Sequence, residues 1–191
     1  TGCVSLLRQE VPEQAAAGTA IESPAVMEFH RFPHTPHLVW LASGEPRDDK
    51  VLSATEAAEL LRSEVVLEEK LDGANLGFSL DPAGALRAQN RGQYLTEPQA
   101  GQFARLPAWL TRHSIAITEA LSEHVDSGLV LFGEWCAARH SVAYTRLPDW
   151  FLMFDVLETR TGSFWSSTRR DALASHLGLA TVPQIGRGLY S

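Results

Sequence analysis

The feature that most constrains the fold of this chain is residues 76–88, which have the pattern of two strands joined by a tight turn. Apolar side chains alternate with smaller residues from Leu76 to Leu80, the period-two pattern of a strand with one buried face. Residues 81–84 (DPAG) have the composition of a tight turn, and apolar alternation resumes from Leu86 to Ala88. The segment therefore predicts an antiparallel hairpin.

Three other segments carry helix signals. Ser53 and Glu56 form a capping-box pattern, which predicts a helix over about 54–62. Apolar residues recur at helical spacing over roughly 106–124. A second capping pattern at 168–171 predicts a last helix, which Gly178 would end.

Three apolar runs, residues 64–69, 129–134 and 151–157, have the length of strands. Helices do not separate these runs in the regular alternation that is typical of a parallel βαβ fold. The sequence therefore predicts an α+β fold, with antiparallel sheets and flanking helices.

Composition sets broad limits on this chain. Its 191 residues, 45% of them hydrophobic, suit a globular protein with one main domain. No run approaches the roughly 20 apolar residues that span a bilayer, and no signal peptide is evident, so a cytoplasmic location is expected. Cys3 and Cys136 form no CxxC pair and are expected to be free thiols. The alanine-rich residues 1–26 predict a flexible extension before a domain of residues 27–191.

The net charge of −7 argues against a dedicated nucleic-acid coat protein, because phosphate neutralisation drives such binding. Basic residues nevertheless gather locally. They could share one nucleic-acid-binding face or be scattered solvated charges. The clusters contain Arg87 and Arg91; Arg139, His140 and Arg146; and Arg160, Arg169 and Arg170.

Lys70 has the sequence context of a nucleophile. It follows an apolar run and precedes Asp72-Gly73, where a sheet is expected to turn back on itself. A free lysine has a pKa of about 10.4, so losing its proton at neutral pH costs roughly 4 kcal/mol. Partial burial, neighbouring positive charge or a bound metal ion would reduce that cost.

Three motifs in order resemble those of the covalent nucleotidyltransferases, which comprise ATP-dependent DNA ligases, RNA ligases and mRNA capping enzymes. They are Lys70-Leu71-Asp72-Gly73, Phe132-Gly133-Glu134-Trp135 and the run Phe151–Val156. DNA ligases and capping enzymes usually have an arginine where this chain has Asn75, whereas nick-sealing RNA ligases have an asparagine. The chain therefore looks most like an ATP-dependent RNA ligase of the nick-sealing (double-strand) type.

This resemblance implies the nucleotidyltransferase (ATP-grasp-like ligase) fold and a three-step reaction. Lys70 would attack the α-phosphate of ATP to form lysyl-AMP, with Mg²⁺ (or Mn²⁺) as the metal. AMP would then pass to an RNA 5′-phosphate end, and an RNA 3′-OH would seal the phosphodiester. The family's fourth and fifth motifs are missing, so residues 27–191 resemble an adenylyltransferase domain truncated at its C-terminus.

The resemblance also implies residues that bind the nucleotide. Glu134 would accept hydrogen bonds from the ribose hydroxyls, and Phe154 would stack on adenine. Arg91 and Asn75 would contact the ribose or phosphates, and Glu69 the adenine. With the motif residues included, the implied nucleotide-binding set is Glu69, Asp72, Gly73, Asn75, Arg91, Glu134 and Phe154. The sequence identifies no metal ligands.

Other interpretations of these residues stay open. Asp72-Gly73 could be a plain hairpin turn, Glu134 part of a structural salt bridge, and Phe154 an ordinary core residue. At the level of the whole chain, the alternatives are an ATP-dependent DNA ligase, a capping-type nucleotidyltransferase, or a nucleotide-binding module without catalysis.

Overall fold

A computed structural model describes the backbone of residues 4–9 and all of residues 29–41 and 50–190. Helices and strands alternate irregularly along the chain. The strands are β1 (Val4–Gln9), β2 (Val65–Glu69), β3 (Ala74–Leu80), β4 (Leu86–Gln89), β5 (Leu129–Trp135), β6 (Phe151–Glu158), β7 (Ser163–Phe164), β8 (Ala180–Thr181) and β9 (Gln184–Gly188), and the helices are α1 (Ala54–Leu61), α2 (Leu106–Glu123) and α3 (Ser167–Leu177), with a 3₁₀ turn at Gly101–Phe103.

The chain divides into two compact units. Of the described residues, the first contains 4–9, 32–41, 50–70 and 183–190, and the second contains 29–31 and 71–182. Lys70 ends the middle segment of the first unit, whereas the hairpin and both longer helices belong to the second. None of the described helices is long and apolar enough to cross a membrane.

The first unit contains a three-stranded antiparallel sheet in the order β1-β2-β9. A flexible extension was expected over residues 1–26, but residues 4–9 form a strand that pairs with β2. The other residues of that expected extension lie outside the described part of the chain. Helix α1 confirms the predicted capping box, because the Ser53 hydroxyl accepts from the Glu56 N–H (3.2 Å) and the Ser53 N–H donates to the Glu56 carboxylate (2.8 Å).

The second unit is built on a larger sheet in the order β4-β3-β5-β6-β7, with β8 pairing parallel to β6. The β3–β4 ladder confirms the predicted hairpin. Helices α2 and α3 pack on one face of this sheet, where they enclose the main core. Its largest fully buried side chains include Phe78, Leu106, Trp109, Ile117, Leu131, Trp135, Phe151 and Met153.

Polar side chains lie on the opposite face of the larger sheet. Because strand residues alternate between faces, the core positions Leu76 and Phe78 of β3 leave Asn75 and Ser79 on the other side. The same alternation in β5 places Glu134 on that face. One face thus stabilises the fold, and the other presents groups that can bind a ligand.

The connection at residues 70–73 is not the sheet turn that the sequence predicts. Strand β2 lies between β1 and β9, whereas β3 lies between β4 and β5. Each of the two strands already has a neighbour on both edges, so they cannot pair with each other. Asp72-Gly73 therefore links two sheets and is not a hairpin turn.

Helix α3 begins slightly earlier than its sequence pattern indicates. The cap is Ser166, whose hydroxyl accepts from the Arg169 N–H at 3.3 Å, and not Thr168. Gly178 ends the helix with a φ of 65°, a left-handed conformation that glycine adopts without strain, as predicted.

Helix α2 is tied to the β5–β6 connection by a half-buried histidine. The His113 ring stacks on Trp109 with centroids 4.1 Å apart, and its Nε2 lies 3.6 Å from an Asp149 carboxylate oxygen. Burial lowers the pKa of His113, against the opposing effect of the Asp149 charge. The unfolded chain therefore takes up this proton at a higher pH than the folded protein does.

We expect this histidine to make the folded protein sensitive to mild acid. Its contribution to the free energy of unfolding is present above the ordinary histidine pKa of about 6.5 and is lost as pH falls through the lower folded value. Urea denaturation at a series of pH values from 7.5 to about 5 should therefore show a smaller loss of stability in His113→Gln than in the wild type. The exposed His176→Gln is the control, and an equal loss in all three proteins would contradict the assignment.

Candidate active site

Lys70 and Glu69 occupy the end of β2 in the first unit. Glu69 is half-buried and closes the strand, and its N–H donates to the Pro183 carbonyl at 2.9 Å. Lys70 follows immediately, and its side chain is exposed. The partial burial that was one expected means of activating Lys70 is therefore not found, and the amine is accessible to a ligand.

Residues 72 and 73 are fixed by hydrogen bonds to distant parts of the second unit. The Gly73 N–H donates to Glu134 Oε1 at 2.9 Å, and the Asp72 N–H donates to the Tyr144 hydroxyl at 2.7 Å. The Asp72 carboxylate in turn accepts from the Val142 N–H at 2.8 Å. Both motif residues are thus held against β5 and the loop that follows it.

This segment includes one carboxylate, Asp72, and donates a hydrogen bond to a second, Glu134. Hydrogen bonding by the Val142 N–H lowers the pKa of Asp72, with smaller contributions from Ser141 and the charge of His140. Burial raises the pKa of the Cys136 thiol to about 12, helped by the charges of Glu134 and Asp72. Cys136 is therefore a protonated thiol at neutral pH and is unsuited to act as a nucleophile.

Close packing explains the glycine at position 73. A Cβ there would lie 2.5 Å from the Trp135 carbonyl oxygen and 2.9 Å from Cys136 Sγ. The first of these is a backbone atom of β5 and cannot move aside cheaply. The absence of a side chain therefore lets the segment after Lys70 lie directly against β5.

Asn75 and Glu134 are cross-strand neighbours on the polar face. They are directly paired in the β3–β5 ladder, a position in which side chains on one face are about 5 Å apart. Asn75 Oδ1 is buried and accepts no hydrogen bond from the described residues. A buried acceptor without a donor is costly, so a ligand hydroxyl or amine would be favourable here.

The resemblance matches Arg91 to an arginine on the strand after the nucleophile, but Arg91 lies two residues beyond the end of β4. The β3–β4 ladder ends at the pair Gly77–Gln89, and the chain then turns, with the Asn90 N–H donating to the Gln93 carbonyl at 2.9 Å. The Arg91 side chain is exposed, and its carbonyl accepts from Arg31 Nε at 2.9 Å.

Phe154 is the extra residue of a β-bulge in β6. Phe132 pairs with Asp155, and the next residue, Gly133, pairs with Met153, so Phe154 is inserted between two consecutive pairs of the ladder. Only 5% of its surface is exposed. The bulge lies on the strand next to Glu134, and bulges often re-aim a side chain at a binding site.

A buried arginine supports this bulge. Arg170 of α3 is 1% exposed, and its Nη1 donates to the Phe154 carbonyl at 2.8 Å. Its Nε and Nη2 donate to Asp171 Oδ1 at 2.9 and 2.7 Å. Arg170 is therefore a structural residue that positions Phe154, and it is not available for nucleic-acid binding.

The structure thus brings together Asp72, Gly73, Asn75 and Glu134, with Phe154 on the strand next to Glu134. Arg91 lies beyond the end of β4. Asp72, Asn75 and Glu134 offer hydrogen-bond acceptors, and Phe154 offers an aromatic ring. Arg170 was missed as a supporting residue, because its hydrogen bond to the Phe154 carbonyl depends on the packing of α3 against β6. Among the described residues, no group of three His, Cys, Asp or Glu could hold a metal ion alone.

Comparisons with known proteins bear on the family and the fold of this chain. A family model described as RNA ligase matches residues 63–191. A Naegleria gruberi RNA ligase variant with ATP and Mn has a TM-score of 0.54 at 18% identity, covering 70% of this chain and 40% of that one. A second such variant, also with ATP and Mn, has a TM-score of 0.51 at 14% identity, covering 67% and 38%.

An archaeal ATP-dependent RNA ligase has a TM-score of 0.51 at 26% identity, covering 65% of this chain and 32% of that one. No curated protein matches this chain. The chain therefore spans two-fifths or less of the length of these solved structures. The shared fold confirms the predicted α+β class with antiparallel sheets.

Proposed function

Because the chain belongs to the RNA ligase family, we propose that it is an ATP-dependent RNA ligase of the nick-sealing type that acts in RNA repair. Residues 27–191 would form its adenylyltransferase domain. The observation that carries this proposal is the hydrogen bond from the Gly73 N–H to Glu134 Oε1. It joins the segment after Lys70 to the strand that presents Glu134 beside Asn75.

The first step uses Lys70 as the nucleophile. Its neutral amine attacks the α-phosphorus of ATP, a P–N bond forms, the bond to the β-phosphate oxygen breaks, and pyrophosphate leaves. The proton of the attacking amine passes to solvent. The product is AMP held on Lys70 through a phosphoramide bond.

Two transfers to RNA follow. An oxygen of the RNA 5′-phosphate attacks the AMP phosphorus, the P–N bond breaks, and the lysine amine recovers a proton. The RNA 3′-OH then attacks the 5′-phosphate phosphorus, forms the phosphodiester and releases AMP. Each step exchanges one bond at phosphorus, so positioning and charge stabilisation supply most of the catalysis.

The residues on the polar face would hold the nucleotide. Glu134 and the buried Asn75 Oδ1 are acceptors suited to the ribose hydroxyls. Arg91, which is exposed just beyond the end of β4, would contact ribose or phosphate. Phe154 would contribute adenine stacking, worth about 1 to 3 kcal/mol, and Glu69 would contact the adenine edge.

The charges of the site favour a divalent cation bound together with ATP. Asp72 and Glu134 are carboxylates that would repel a triphosphate. Mg²⁺ is commonly held by one or two carboxylates together with substrate phosphates, and Asp72 and Glu134 could supply these carboxylates. We propose that Mg²⁺ or Mn²⁺ enters in this way and neutralises the transferring phosphate.

Labelling with two forms of ATP tests the proposal. With Mg²⁺ present, [α-³²P]ATP should leave a covalent label on the protein, whereas [γ-³²P]ATP should leave none because the γ-phosphate departs in pyrophosphate. The label should resist alkali and be released by acid, as a P–N bond is. Transfer from GTP instead would indicate capping chemistry, and ATP binding without label would indicate a binding module that does not catalyse.

A further inference from the structure

The loop between β5 and β6, residues 136–150, supports the motif segment but contributes no residue to the nucleotide-binding set proposed above. Loops of this length without their own secondary structure are uncommon and often functional. The Cys136 N–H donates to the Trp150 carbonyl at 2.7 Å and closes the base of the loop. Val142 and Tyr144 tie its middle to Asp72. The loop is therefore held in one shape beside the motif segment.

The outward charge of this loop is positive, although the chain carries a net charge of −7. Its one carboxylate, Asp149, accepts hydrogen bonds from Trp109 Nε1 (3.0 Å) and the Trp150 N–H (2.6 Å) and is thereby occupied. Arg139 and Arg146 are exposed, and neither forms an ion pair with a carboxylate in the described part of the chain.

Other arginines of the clusters seen in the sequence have structural partners instead. Arg170 is buried against Asp171 and the Phe154 carbonyl. Arg87 Nε donates to the Ser79 hydroxyl at 3.1 Å, and its guanidinium lies 4.0 Å from the centre of the Tyr94 ring. Arg87 and Arg170 are therefore not available to bind a phosphate, whereas Arg139 and Arg146 are.

We propose that the loop 136–150 docks the phosphate backbone of the RNA strand that carries the 5′-phosphate end, through Arg139 and Arg146. This inference rests on the proposed function. Guanidinium groups match phosphate oxygens in geometry and charge. Asp72, to which the loop is bonded, is two residues from Lys70, so covalent geometry keeps their Cα atoms within about 7 Å. The strand whose end receives AMP must come within reach of this same segment.

The salt dependence of RNA binding tests the proposal. Fluorescence anisotropy would measure the affinity for a 5′-phosphorylated, 3′-fluorescein-labelled RNA strand from 50 to 200 mM KCl. Each lost phosphate contact lowers the slope of log K against log salt by about 0.7 for single strands. In the double variant Arg139→Ala/Arg146→Ala, the magnitude of this slope should therefore be smaller than in the wild type by about 1.4. In Arg139→Lys/Arg146→Lys, which keeps both positive charges, the slope should be close to the wild-type value.

The matched control is Arg112→Ala/Arg160→Ala, which removes two exposed arginines from α2 and from the turn after β6. It changes the net charge equally and should keep the wild-type slope. Equal slopes in the loop variant and the control would overturn the proposal, as would a wild-type protein without measurable RNA binding.

Covalent labelling with ATP separates this inference from the function on which it rests. All the arginine variants should take the AMP label at the wild-type rate, because the loop arginines act only on RNA. Loss of label in the loop variant would overturn the docking role. A wild-type protein that takes no label would refute the ligase function, whatever the RNA slopes show.

Discussion

Replacing Lys70 with alanine or arginine is expected to abolish the covalent AMP label, a loss of at least about a thousandfold. Alanine has no amine, and the arginine guanidinium stays protonated at neutral pH, so neither can attack the α-phosphate. A thousandfold loss corresponds to about 4 kcal/mol of transition-state stabilisation. Rates of label uptake from [α-³²P]ATP, measured on protein of unchanged circular dichroism, would provide the test.

The second lysine of the chain provides a matched control for this experiment. Its 191 residues contain two lysines, Lys50 and Lys70. Lys50 is exposed and pairs with Glu56 at 3.1 Å, an ion pair of a kind that contributes little to stability. Lys50→Ala should therefore keep its label. Label that follows Lys50, or that persists without Lys70, would exclude Lys70 as the nucleophile.

Gly73→Ala is expected to slow label uptake by about a hundredfold while leaving the protein folded. The added Cβ would meet the Trp135 carbonyl oxygen at 2.5 Å, so the segment must move away from β5 and lose its hydrogen bond to Glu134. A displacement of about 1 Å beside a reacting group is sufficient for such a loss. Single-turnover label kinetics and urea denaturation would be measured in parallel.

Gly162→Ala separates misplacement from simple destabilisation. Gly162 has a φ of 68° and no atom within 4 Å of an added Cβ, so alanine there costs backbone strain of roughly 1 to 2 kcal/mol without any clash. This variant should lose stability but keep its labelling rate. Equal rates in the two glycine variants would show that the packing of Gly73 does not matter for the chemistry.

Local patterns in the sequence predicted most individual elements because their causes are local. The Ser53–Glu56 capping box and the turn at 81–84 are each decided by residues within a few positions of one another. The sheet to which β2 belongs was not predictable in this way. Its partner β9 is more than 100 residues away in sequence, and no local signal distinguishes pairing with β9 from pairing with β3.

The site residues that belong to a sequence motif could be predicted. The residues that support them could not, because their contacts depend on the tertiary fold. Glu134 and Asn75 were identified separately, and their direct pairing follows only from the register of two strands. Arg170 appeared as one charge in a basic cluster. Its burial results from the packing of α3 against β6. The spacing of residues 168–171 does not predict that packing.

The bulge in β6 adds one residue, Phe154, to this strand. Without Phe154, the pairs Phe132–Asp155 and Gly133–Met153 would become consecutive rungs of a regular ladder. Phe151, Met153 and Val156 would remain in the core. The buried Arg170 guanidinium, however, would lose the Phe154 carbonyl as an acceptor. The irregularity in the strand therefore couples the position of Phe154 to the burial of a charged side chain on α3.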